Sequence, residues 1–139
     1  MPPLTRWFLK AALVYLALAL LTGVLLALRV WLSLPAWVSG LGPVYFHLLM
    51  VGWVTQLIFG VAHWMFPKAS AARPRGDERL TGFVFAALNL GLALRVAGEP
   101  WAAAQPGGAA GWLLALSAGL QLAAGWVFVF TLWPRIKIK

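Results

Sequence analysis

The chain has no cysteine, and of its 139 residues three are acidic and two are histidine. Without thiols there is no disulfide, no thiolate-bound metal, no iron–sulfur cluster and no covalent haem attachment through Cys-x-x-Cys-His. Charge of both signs is scarce: Asp, Glu, Lys and Arg make up 10% of the chain, against about 25% in an ordinary soluble domain. The hydrophobic share is 63%, where about 45–50% is usual. So few polar side chains cannot cover a globule in water, and a soluble fold is excluded.

The apolar residues fall into four blocks, at about 7–31, 44–66, 80–96 and 110–133. Each is close to the roughly 20 residues that cross about 30 Å of hydrocarbon. The first is too long for a signal peptide and has no small-residue cleavage site, so it reads as a retained helix. Gly42-Pro43 opens the second block, and Pro67 and Pro134 close the second and fourth, where proline can start or stop a helix. The connections are short and rich in Pro, Gly or charge. The expected fold is all-α, a single transmembrane domain over residues 1–139, built as an integral membrane four-helix bundle.

The basic residues set the orientation. Arg6, Lys10, Lys68, Arg73, Arg75, Arg79, Arg135, Lys137 and Lys139 fall on one side of such a bundle, leaving Arg29 and Arg95 on the other. Cytoplasmic enrichment of Lys and Arg then places both termini and the loop between blocks two and three inside, in a multi-pass protein of the plasma or inner membrane. The net charge of +8 is thereby explained as topology plus attraction to anionic lipid, not as nucleic-acid binding. Seven tryptophans fit interfacial belts: Trp7, Trp64 and Trp133 inside, and Trp31, Trp37, Trp101 and Trp112 outside. Trp53 and Trp126 fall at mid-membrane depth, where packing against neighbouring helices is expected.

Asp77, Glu78 and Glu99 all lie in connections, so no span carries a carboxylate. Paired-carboxylate catalysis and di-iron chemistry are thereby removed, and Ser117 has no base beside it. Histidine remains. His47 lies one turn inside the outer end of the second block, where a neutral imidazole can serve as an axial iron ligand or hydrogen-bond a neighbouring helix. At 100° per residue, Val51, Val54, Ile58, Ala62 and Met65 share its face, while Tyr45, Gly52, Gln56, Gly60 and His63 lie opposite. The small residues there admit another helix or a planar cofactor. His63 comes about 24 Å further along the axis, so one chain cannot clamp one haem with both histidines. Its simplest reading is an interfacial hydrogen-bonder, with metal ligation the lesser alternative. Gln56, Asn89 and Gln121 read as interhelical hydrogen bonders, with a propionate or quinone carbonyl as other possible partners.

The stretch Tyr45-Phe46-His47 through His63-Trp64-Met65-Phe66-Pro67 resembles the tenth helix of subunit I in the haem–copper oxidase superfamily, which includes nitric oxide reductases. There the helix begins His-Phe-His, continues through spaced glycines and ends in a His-Trp-Phe-Pro-like turn. The similarity spans about residues 44–92; the first and fourth blocks match only as hydrophobic spans. It implies a non-covalent haem b at His47, the position of the low-spin ligand. The high-spin ligand position is Tyr45, and the family's copper ligands lie on helices this chain does not have. The resemblance thus implies electron transfer or redox or gas sensing, with no complete oxygen-reducing centre on this chain. Tyr45, Val51, Gly52, Gln56 and Gly60 are the expected cofactor contacts. Four helices also match one arc of the family's threefold core, which favours a homo-oligomeric trimer over a dimer, with haem near a subunit boundary. A haem-free accessory or assembly subunit of a respiratory complex is the alternative, and a quinone site or a redox partner a further one.

Overall fold

A chain surrounded by hydrocarbon must satisfy its backbone polar groups internally, which leaves helices or a closed barrel. The computed structural model describes residues 1–105 and 107–136, and among them it is helical with no strand. Lys137 and Lys139, counted in the charge asymmetry above, lie outside the described residues. Four helical stretches of 26, 30, 27 and 28 residues are long and apolar enough to cross a membrane.

Helix α1 runs Pro3–Leu28, with proline at its first position, and unwinds through turns that reach Leu32. The second span is composite. A 3-10 turn at Ala36–Gly40 leads directly into α2 (Leu41–His47), a π-helical segment covers Leu48–Thr55, and α3 (Gln56–Met65) finishes it. The segment 33–43, expected as a plain connection, is therefore largely helical. Its glycine explains why: a Cβ at Gly40 would stand 2.5 Å from the Glu99 carbonyl oxygen, so only glycine lets this turn rest on the backbone of the next span.

Helix α4 is Glu78–Ala104, opened by Asp77, whose side chain accepts from the Arg79 amide at 2.9 Å. It was expected to stop near residue 96, before Gly98 and Pro100, yet it continues through both. Proline inside a helix removes one donor and crowds the preceding turn. An ion pair within the helix and a tertiary contact together outweigh that here. Arg95 pairs with Glu99 at 2.7 Å across one turn, and Gly98 admits Leu114 of the next helix. Helix α5 spans Gly108–Leu132, and a 3-10 turn at Trp133–Arg135 follows it.

Each span packs on its sequence neighbour. Buried α4 positions Val84, Leu88, Gly91 and Gly98 face α5, where Ala110, Ser117 and Ala124 recur every seven residues. That is the repeat of a supercoiled seam, built with small residues as membrane helices prefer. Ser117 Oγ donates to the Gly91 carbonyl at 2.6 Å, and Gln121 Nε2 donates to Ser117 Oγ at 3.1 Å. On the other side, α1 lies along the second span through Thr5, Phe8, Ala12 and Ala19. Over the most apolar stretch of each span, 33% of residues are buried in α4 but 11% in α1 and 17% in α5. The flanking helices thus keep most of their apolar surface for lipid or another chain. Trp126, expected to pack within the bundle, is 55% exposed and stacks on Phe130 of its own helix.

Candidate functional site

The second span carries both histidines, and its winding decides where they go. Val44, Leu48, Gly52, Gln56 and Gly60 are all buried, at steps of four residues. On a regular α-helix of 3.6 residues per turn, a strict four-step stripe drifts around the surface. The π turns over Leu48–Thr55 take up the extra residue and hold the stripe against α1 and α4. A second four-step row, Phe46, Met50 and Ile58 with the half-buried Val54 between, stays on the outer surface. This row keeps Val54 and Ile58 of the expected face (Val51, Val54, Ile58, Ala62 and Met65), and Met65 stays exposed, but Val51 and Ala62 leave it. Val51 turns toward the core, and Ala62 is buried in it beside Phe8, Val84 and Phe128.

His47 sits where α2 gives way to the π segment, half-buried beside that outer row, its ring edge-on to Phe46 at 6.0 Å. Its Nδ1 lies 2.9 Å from the Pro43 carbonyl oxygen. A carbonyl only accepts, so Nδ1 carries the proton, and in a neutral imidazole Nε2 is then the nitrogen with the lone pair. Metal-bound histidines commonly have their second nitrogen fixed in this way. The contact fixes the orientation of the His47 ring at the bundle surface, beside an apolar wall.

The other expected cofactor contacts are engaged within the chain. Gly52 is filled by Tyr15, to whose Cβ and Cγ an added methyl would come within 2.7 Å, and Gly60 is filled by Phe8. The glycines admit a helix, α1, and leave no room for a planar group. Gln56 is fully buried and exchanges hydrogen bonds with Asn89, Nε2 to Oδ1 at 3.2 Å and Nδ2 to Oε1 at 3.3 Å. Asn89 Oδ1 also accepts from Tyr15 Oη at 2.9 Å, and its Nδ2 donates to the Phe85 carbonyl at 2.7 Å. The polar side chains of α1, α3 and α4 therefore satisfy one another at mid-span. Tyr45 packs against Gly23 of α1 and faces inward, on a different side from His47. Among the described residues, no three of His, Asp and Glu gather as a metal-binding group.

No protein-family model, curated protein or solved structure matches this chain.

His63 is 3% exposed, at the opposite end of the span from His47. Its Nδ1 is 3.5 Å from Thr81 Oγ1, while its Nε2 and the hydroxyl of buried Thr5 have no partner among the described residues. The position is one where the ends of all four spans converge, which suits a packing role better than ligation. Reasoning from the sequence missed the residue that completes this end. Arg135 was read as a topology charge, yet it is 2% exposed and closes the C-terminal end of the second span. Its Nη2 donates to the carbonyls of His63 (3.1 Å) and Phe66 (2.8 Å), and its Nε to that of Pro67 (2.9 Å). A signal was present: Pro67 ends the helix, its last carbonyls need donors, and a cation is favoured there.

Proposed function

We propose that this is a membrane-embedded haem b-binding protein, in which His47 supplies an axial ligand at a boundary between copies of the chain. One observation carries the reading: the Nδ1–H of His47 is tied to the Pro43 carbonyl, which leaves Nε2 as a free, oriented lone pair beside the Phe46–Met50–Ile58 surface. The π segment that follows His47 adds support, since such irregular turns recur at functional sites. So does the resemblance of residues 45–67 to the oxidase subunit I helix.

The residues present fit one face of a haem site. His47 would hold the iron, and the outward apolar row would shield one side of the ring. Bound there, haem supplies one-electron chemistry. The opposite wall must come from another molecule, because Gly52, Gln56 and Gly60 are used inside the chain. Tyr45 faces α1, so a neighbour's Tyr45 is poorly placed to supply the second ligand. A dimer that pairs two His47 on one haem answers this directly, whereas the trimer follows from the oxidase-like arc. With the basic end inside, the termini face the cytoplasm and the His47 end lies in the outer leaflet of the plasma or inner membrane. The chain has no complete oxygen-reducing centre of its own in this reading.

A visible absorption spectrum of purified protein, oxidised and reduced, tests it. The expected result is a Soret band that His47→Ala abolishes and His63→Ala largely keeps. Equal haem in wild type and His47→Ala refutes the assignment. Native mass spectrometry in mild detergent then counts chains per haem, two pointing to the dimer. The haem-free accessory subunit is favoured by the filled glycine face, and a spectrum with no Soret band after reconstitution with haem would establish that reading instead.

A further inference from the structure

At the Arg135 end of the bundle, the connection between α3 and α4 is a shaped loop. The Ala69 amide donates to the Pro74 carbonyl at 2.9 Å, and the Gly76 amide to the Arg73 carbonyl at 3.1 Å. Ser70 Oγ accepts from the Arg73 amide at 2.9 Å. Gly76 takes φ +81°, a backbone angle that glycine supplies without strain. Residues 72–79 thereby line a cavity of about 550 Å³ that includes Arg73, Arg75 and Arg79. Its two carboxylates neutralise little of this charge. Asp77 is occupied as the cap of α4, and Glu78 reaches Arg75 only at 3.9 Å, with both side chains well exposed. Exposed ion pairs of that kind are weak. Arg73 and Arg79 have no ion-pair partner among the described residues.

Trp7, Trp64, Phe66 and Trp133 are all exposed around the same end, the arrangement of an aromatic belt at headgroup depth. The cavity lies just beyond that belt. We infer that it holds the phosphate of an anionic phospholipid headgroup, gripped by the Arg73, Arg75 and Arg79 guanidinium forks, whose planar geometry matches phosphate. A purely topological role would need the charges but not a pinned loop that gathers three of them around one cavity.

The test uses the full chain in detergent, titrated with phosphatidylglycerol, with phosphatidylcholine of matched acyl chains, or with inorganic phosphate. Melting temperature and lipids retained in native mass spectrometry are the readouts. Phosphatidylglycerol is expected to raise the melting temperature saturably and to remain bound, while phosphatidylcholine and phosphate do neither. Each arginine changed to glutamine should weaken the apparent affinity about fivefold, and the triple variant roughly a hundredfold. The loop is exposed, so the lipid-free melting temperature should stay unchanged; if the triple variant does not fold, Arg73→Gln alone decides. An equal phosphatidylglycerol response in wild type and variant overturns the proposal. So does an equal response to inorganic phosphate, which would assign the cavity to a free anion.

Discussion

Replacing Arg135 with alanine should loosen the end of the span that carries both histidines. Three donor contacts disappear, to the carbonyls of His63, Phe66 and Pro67. A hydrogen bond from a charged group contributes about 1.5–3 kcal/mol net. Phe66 and Pro67 are exposed, so water or headgroups can take over their carbonyls. The His63 carbonyl contact is buried, so its loss counts in full. Removing a cation from a helix C-terminus adds about 0.3–1 kcal/mol. Arg135→Ala should therefore destabilise the protein by about 2–4 kcal/mol. Arg135→Lys keeps the charge but offers one compact donor in place of a fork, and should recover about half of that. Unfolding in mixed micelles of increasing dodecyl sulfate fraction, followed by tryptophan fluorescence, measures both. Amide exchange should quicken in α3 before it does in α5. An Arg135→Ala protein within about 0.5 kcal/mol of wild type would refute the idea that this contact closes the span.

Three further outcomes are expected. Gly52→Ala forces a methyl to within 2.7 Å of Tyr15 and should cost about 1–3 kcal/mol in the same assay, whereas Gly119→Ala meets nothing within 4 Å and should be neutral or slightly stabilising. Asn89→Leu strands Tyr15 Oη and the Gln56 amide together and should cost about 1–3 kcal/mol; a Tyr15→Phe/Asn89→Leu double variant whose loss equals the sum of the two single losses would show that the residues do not act as a unit. Reporter fusions should be cytoplasmic at Ser70 and external at Ser39 and Gln105, and a protease-accessible 68–79 loop on the outside would reverse the orientation.

How much was legible in advance differs from element to element. Composition alone decided that the chain forms apolar helices of membrane-crossing length, because burying so many hydrophobic residues with so few charges admits no soluble surface. Block lengths and prolines located the four spans to within a few residues at most ends. The exceptions were the start of the second span, which reaches back to Ala36, and the end of α4, where Gly98 and Pro100 spoke locally for a stop. The contacts of Gly98 with Leu114 and of Gly40 with the Glu99 backbone are invisible to any local reading, and they carry the helix to Ala104. Gln56 and Asn89 were recognisable as interhelical hydrogen bonders because a polar side chain in hydrocarbon must find a partner. That they pair with each other, and with Tyr15, depends on which helices are neighbours.

The faces of the second span were the largest departure. A 100° step placed Val51, Val54, Ile58 and Ala62 beside His47, but the π turns underwind the helix, keep Val54 and Ile58 in that row and set Phe46 and Met50 there in place of Val51 and Ala62. A hydrophobic run contains no record of such a change in pitch; the packing of Tyr15 and Phe8 onto two glycines eight residues apart accompanies it. The sequence by itself determined that the protein is helical, basic at one end and equipped with one histidine near each end of the second span. Only the tertiary structure decided that one histidine is buried among the four span ends while the other lies half-buried beside the outer row, because burial depends on which faces meet and not on the order of residues along the chain.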